Sequence, residues 1–164
     1  MSRFDLASAR DAARRGDLPG WVGEFLASRG SDNATLAAGL AQRPHRWFGP
    51  LRVPIDELVR LAGPEDDVEC TIEPHEWEDD VGSMEEQVEE GWEPPPLLAE
   101  WRDGELLVQD GNHRYEALQR AGEPEAWVVV WADDPAEADR FAAVAERYEA
   151  ATSAATSESD PTRS

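Results

Sequence analysis

The sequence predicts a small α+β domain, and three observations carry that expectation. Two short apolar runs, 97–101 and 105–109, are joined by Arg102-Asp103-Gly104, whose Asp-Gly pair is a hairpin signal. The second run passes through the turn triplet Asp110-Gly111-Asn112 directly into 113–121, where Ala117, Leu118 and Ala121 recur at helical spacing before Gly122. A β-branched run, 127–131, then precedes an amphipathic helix over 135–150 with Ala138, Phe141, Ala142, Val144 and Ala145 on its apolar side. Strands and helices alternate, but without the regular spacing of a doubly wound parallel sheet. At 164 residues the chain suffices for one compact core with short appendages.

The remaining elements read as follows from the N-terminus. Leu18-Pro19 followed by Trp21, Val22, Phe25 and Leu26 spaces a helix, with Gly30 as its stop. Ser31-Asp32-Asn33 offers caps for a second helix through Leu36, Ala37 and Leu40, ended by Pro44. The two form a helical hairpin, so 1–49 reads as a packing appendage, with 45–48 leading out of it. Residues 51–53 suit a short strand, after which Pro54 opens a helix through Ile55, Leu58, Val59 and Leu61, closed by Gly63-Pro64. No element is assigned to the acidic stretch 65–80. Ser83 caps a helix over 83–90, with Glu86 as its capping-box partner and Gly91 as its end. Pro94-Pro95-Pro96 is a stiff lead-in to the hairpin. The main domain spans 50–151, and the Ser/Thr-rich residues 152–164 bury too little surface to offset chain entropy and are expected to be disordered.

Composition excludes several chemistries. There are 36 Asp and Glu against 15 basic residues, all of them Arg, for a formal charge of −21. With no Lys there is no P-loop lysine and no Schiff base. Cys70 is the sole cysteine, which rules out an intrachain disulfide and a thiolate zinc ribbon. The longest apolar run, 126–132, is far short of a membrane span, and the N-terminus lacks an apolar leader, so the expected compartment is the cytoplasm. Acidity opposes contact with DNA or anionic membrane. The N-terminal zone, with seven Arg against five acids in 1–50, is too weakly basic for a helix-turn-helix DNA reader. The stretch 61–101 holds 15 acids and no base, which would suit a basic protein partner.

The strand–glycine–helix junction at 110–116 is the candidate site. The first turn of a helix has N–H groups without intrahelical acceptors and a positive dipole end, which suit an anion. Gly111 lacks the Cβ that would hold a phosphate away, and His113 and Arg114 lie in the same turn. The same residues read equally as a turn and a helix cap, with Arg114 paired to a carboxylate.

The segment 96–122, followed by Val128-Val129-Val130, resembles the ParB N-terminal/sulfiredoxin-like domain (the ParB-like nuclease domain family). Its most specific part is Asp110-Gly-Asn-His-Arg-Tyr-Glu-Ala, the family's Gly-x-His-Arg-x-x-Ala signature. Upstream, Val53-Pro-Ile-Asp-Glu-Leu and the helix–Gly–Pro approach 84–96 resemble the same domain. The resemblance implies a small mixed sheet with surrounding helices, and a nucleotide-phosphate site at Gly111, Asn112, His113 and Arg114. It further implies ATP or CTP with Mg²⁺ as cofactors, Asp110 as the metal ligand, and His113, Asp110 and Glu116 as catalytic groups. The expected activity is Mg²⁺-dependent phosphoryl transfer to a small-molecule or protein acceptor, or NTP hydrolysis. A non-catalytic ligand-binding or protein-interaction module of the same fold is the alternative. A DNA-associated partition-like or nuclease protein comes third, disfavoured by the charge and by how little sequence follows Val130. Asn112 stands where sulfiredoxins carry their catalytic cysteine, which argues against sulfinyl reduction.

Overall fold

The computed structural model describes residues 4–28, 34–42, 45–63, 70–92 and 94–158. The fold is α+β, built on a mixed sheet of five strands. Helices α1 (Leu6–Arg14), α2 (Leu18–Leu26) and α3 (Ala34–Ala41) come first. Strand β1 (Arg46–Pro54), a 3₁₀ turn (Ile55–Glu57) and strands β2 (Leu58–Arg60), β3 (Ala62–Gly63) and β4 (Cys70–Thr71) follow. Helix α4 (Pro74–Glu89) leads to the hairpin β5 (Leu97–Arg102) and β6 (Glu105–Asp110), then to α5 (Asn112–Arg120), β7 (Glu125–Ala132) and α6 (Pro135–Glu158). The sheet order is β1-β7-β5-β6-β2, while β3 and β4 form a separate two-stranded ribbon. The β1–β7 and β5–β6 pairs are antiparallel, and β5–β7 and β2–β6 are parallel.

The hairpin forms where its turn chemistry places it: Asp103 (φ 53°) and Gly104 (φ 80°) both adopt the positive φ that a two-residue turn of matching twist demands. Strand β5 lies between β7 and β6, and its first four residues are buried because both faces are covered. On one face Ala99, Val108, Val128 and Val130 pack under Tyr115 and Leu118 of α5 and Phe141, Ala145 and Tyr148 of α6. On the other, Leu98, Val129 and Trp131 pack under Ala9 and Ala12 of α1 and Trp21, Val22 and Phe25 of α2. The result is a three-layer stack with α5 at the sheet's centre. No helix among the described residues is long and apolar enough to cross a membrane.

Several elements differ from the sequence expectations. Helix α1 was not expected, because Leu6, Ala9 and Ala12 are a sparse stripe between charges. Its start is nevertheless marked by a capping box: the Asp5 carboxylate accepts from the Ser8 N–H, and the Ser8 hydroxyl accepts from the Asp5 N–H. Strand β1 begins at Arg46 rather than 51, so 46–49 belong to the sheet, pairing Trp47 with Trp131 and Phe48 with Val130. The helix expected from Pro54 is only the 3₁₀ turn. Leu58–Arg60 instead pair in parallel with Leu106–Val108, because the open edge of β6 offers ladder hydrogen bonds that a short helix does not. Helix α4 starts at Pro74, with the Glu73 carboxylate accepting from the Glu76 N–H, so Ser83 lies mid-helix and caps nothing. Helix α6 continues to Glu158, making 152–158 helical where disorder was expected. The stop at Gly30, the caps at 31–33, the end at Pro44, Pro64, the stretch 64–69 and residues 159–164 lie outside the described residues.

Phe141 is fully buried, 4.9 Å from the Phe48 ring and 5.1 Å from that of Trp101. Phe141→Ala is expected to cost about 3–5 kcal/mol, read as a fall in the midpoint of denaturant unfolding at unchanged slope.

Candidate functional site

Strand β6 ends at Asp110, and the chain turns into α5 through Gly111, whose φ of 102° and ψ of 23° place it in the left-handed region. That conformation favours glycine, and here space demands it too. A Cβ on Gly111 would lie 2.7 Å from the Arg114 guanidinium and 2.7 Å from the Leu97 side chain. The face of Gly111 expected to admit a phosphate is therefore filled by the protein itself.

Arg114 supplies most of that filling. Its Nη2 donates to the Asp110 carboxylate at 3.1 Å and to the Pro96 carbonyl at 3.4 Å, and its guanidinium lies 5.2 Å from the Phe25 ring of α2. The Arg114 and Asp110 side chains are only 7% and 10% exposed. Burial pulls the Arg114 pKa below its ordinary value while Asp110 pushes it back up, and a guanidinium remains charged in such surroundings. Arg114 is thus a strut binding β6, α5 and the 94–96 lead-in, rather than a side chain presented to a ligand. Asp110, its counter-charge, does not fit the role of Mg²⁺ ligand, and the described residues hold no group of three or more His, Cys, Asp or Glu arranged for a metal.

Asn112 is also committed. Its Oδ1 accepts from the Leu61 N–H at 2.8 Å and its Nδ2 donates to the Val108 carbonyl at 3.2 Å, clipping the end of β2 to β6. Glu116, expected as a base or metal ligand, is ion-paired to Arg60 at 3.0 Å and to Arg120 at 3.0 Å. Arg120 in turn holds both carboxylate oxygens of Glu78 at 2.8 Å, so α4 and α5 are laced together along one side. Of the three expected catalytic groups, Asp110 and Glu116 are thereby engaged in internal pairs.

His113 is different. It lies in the first turn of α5, with its ring 4.7 Å from that of Trp77. Its Nε2 is buried and has no hydrogen-bond partner, since the Asp80 carboxylate is 3.8 Å away. Burial lowers the His113 pKa, while Asp80 and Glu76 pull it upward. The first intrahelical bond of α5 runs from the Tyr115 N–H to the Gly111 carbonyl, so the N–H groups of His113 and Arg114 precede the helical ladder. The sequence reading missed the groups that frame His113: Trp77 and Asp80 on α4, and Arg60, whose guanidinium lies 4.9 Å from the Trp77 ring. Glu73-Pro74 with Glu76 would have revealed the start of α4 before Trp77, and hence this frame.

No family model and no curated protein matches the chain. Among solved structures, it is similar to a sulfiredoxin from Arabidopsis thaliana: 18% identity, TM-score 0.36, over 52% of this chain and 83% of that one. It is also similar to the chromosome-partitioning protein ParB from Caulobacter crescentus. Against the truncated form complexed with CTP-γ-S the identity is 26% and the TM-score 0.37, over 58% of this chain and 48% of that one. Against the form bound to the centromeric parS site the figures are 25% and 0.34, over 52% and 41%. The match thus spans less than half of either partition chain.

Two outcomes follow for this site. Arg114→Met removes the guanidinium that faces the buried Asp110 carboxylate and is expected to cost about 3–5 kcal/mol in denaturant unfolding, much of it regained in the double variant with Asp110→Asn. The lowered pKa of His113 means that the unfolded chain takes up a proton that the folded chain resists. Its contribution is therefore full above the ordinary imidazole value of 6.5 and is lost progressively below it, as pH falls through the lower value of the folded state. Melting curves of wild type and His113→Gln between about pH 8 and pH 5.5 are expected to differ in slope, with the wild type losing stability faster on acidification.

Proposed function

We propose that this protein is a nucleotide-binding module whose ligand docks its phosphates on the outer side of the first turn of α5, and that it binds without turning the nucleotide over. The observation that carries the reading is the buried, unpartnered Nε2 of His113, placed in a helix turn whose N–H groups favour an anion. A phosphate oxygen that displaces the half-exposed Asp80 carboxylate, 3.8 Å from Nε2, and accepts from Nε2–H would satisfy an atom that is otherwise costly to leave unmatched. Arg114 supports the turn from behind.

Binding without turnover fits the geometry better than phosphoryl transfer. A phosphotransferase needs cationic groups, a metal or both at the transferring phosphoryl, and a base on its acceptor. Arg114, Asp110 and Glu116, the groups expected for those tasks, are engaged with one another or with neighbouring side chains. The ligand class is ATP or CTP, and Mg²⁺ enters as the nucleotide's own counter-ion, which also lessens repulsion from a chain of charge −21. The DNA contact of the parS-bound relative is not carried over to so acidic a chain.

Titration calorimetry with ATP and CTP, each with and without Mg²⁺, tests the reading. One of the Mg²⁺ complexes is expected to bind, with affinity improved by moderate salt and reduced about tenfold in His113→Ala. Equal affinity of the two proteins, or no binding of either nucleotide, would overturn it. Phosphate release above the buffer rate would replace binding alone with a phosphotransferase or hydrolase activity.

A further inference from the structure

A second concavity lies toward the C-terminal end of α5, bounded by Leu118 and by Glu123 just beyond the helix. Its volume is about 270 Å³. Leu97 and Leu118 are apolar, nearly fully buried residues in its lining. Trp92, Trp127 and Pro94 add flat apolar surface. Such a lining accepts a compact apolar or planar body.

The charges around this cleft are lopsided. Glu123 and Glu125 line it, and the one cation among the described residues of the lining, Arg52, lies 3.4 Å from the Glu125 carboxylate. Glu123 has no ion-pair partner among the described residues. Two helices end beside the cleft: α4 at Glu89, just before Gly91 and Trp92, and α5 at Arg120, just before Glu123. A helix C-terminus carries a partial negative charge, and the last turn of α4 contains no basic residue to offset it. The one basic residue in the last turn of α5, Arg120, is held by Glu78 and Glu116. Trp127 already carries the Arg10 guanidinium 4.4 Å over its ring, so an aromatic–cation contact is established at this corner.

We infer that this cleft binds a small organic cation: an ammonium or guanidinium group carried on a compact apolar or aromatic body. The body lies against Leu97, Leu118 and Trp92, and the charge faces Glu123 and the two helix ends. The inference is independent of the nucleotide reading, since it uses neither His113 nor the first turn of α5.

The test uses three probes that share one body and differ in charge: phenethylammonium, 2-phenylethanol and 3-phenylpropanoate, titrated against the full chain by calorimetry and followed by indole NH shifts in NMR. Phenethylammonium is expected to bind about tenfold more tightly than the alcohol, with the carboxylate weakest. Glu123→Gln is expected to erase most of the preference for the cation over the alcohol. Trp92→Ala is expected to weaken both probes; Glu123 is exposed and Trp92 only half-buried, so both variants retain the core, as circular dichroism would verify. Equal binding of ammonium and alcohol, no binding of any probe, or a cation preference untouched by Glu123→Gln would overturn the inference.

Discussion

A guanidinium taken out of water must keep a counter-charge, and the turn between β6 and α5 is arranged around that demand, although Arg114 Nε stays buried without an acceptor among the described residues. Arg114 meets Asp110 four residues back across the turn, reaches the Pro96 carbonyl on the neighbouring lead-in, and lies over the Phe25 ring of α2. Only a residue without a Cβ can occupy position 111 while the guanidinium is there. Gly111, Asp110 and Arg114 are therefore one unit. The same unit draws α2 toward the start of α5, so the α1–α2 layer and the hairpin meet at this point.

Acidity shapes the rest. In a chain with 36 carboxylates and only arginines to answer them, cations are used as fasteners. Arg120 bridges Glu116 and Glu78, seaming α4 to α5 above the small contact of Trp77, Val81 and Ala117, and Arg60 of β2 pairs with the same Glu116. At the other end of the sheet, His45 contacts the Asp133 carboxylate through Nδ1 and the Leu40 carbonyl through Nε2, tying the end of α3 to the end of β7. What remains unsatisfied stands out against this background. Among the described residues, His113 Nε2, Arg114 Nε, Trp101 Nε1 and Glu137 Oε2 are buried and unmatched, and the cleft toward the C-terminal end of α5 has more negative than positive charge in its lining. The two ligands we propose are opposite in charge, an anion at the start of α5 and a cation toward its end, in keeping with the sense of the helix dipole.

Local chemistry alone determined much of this protein: the Asp103-Gly104 hairpin, the glycine entry to α5, the β-branched run of β7 and the α+β class are legible because turn preferences and apolar spacing act within a few residues. Helix α1 and the first half of α4 were harder to read, since a stripe of alanines, or a tryptophan and a valine four apart among acids, gives little periodic contrast. The tertiary structure alone decided that Leu58–Arg60 become a strand, because the partner that stabilises them, β6, lies almost fifty residues away. It also decided which way Arg114 faces. The spacing of Asp110 and Arg114 allows an internal pair or an outward-facing cation. The choice fell to burial, once α2 and the 94–96 lead-in closed over the turn and left the guanidinium no route to solvent.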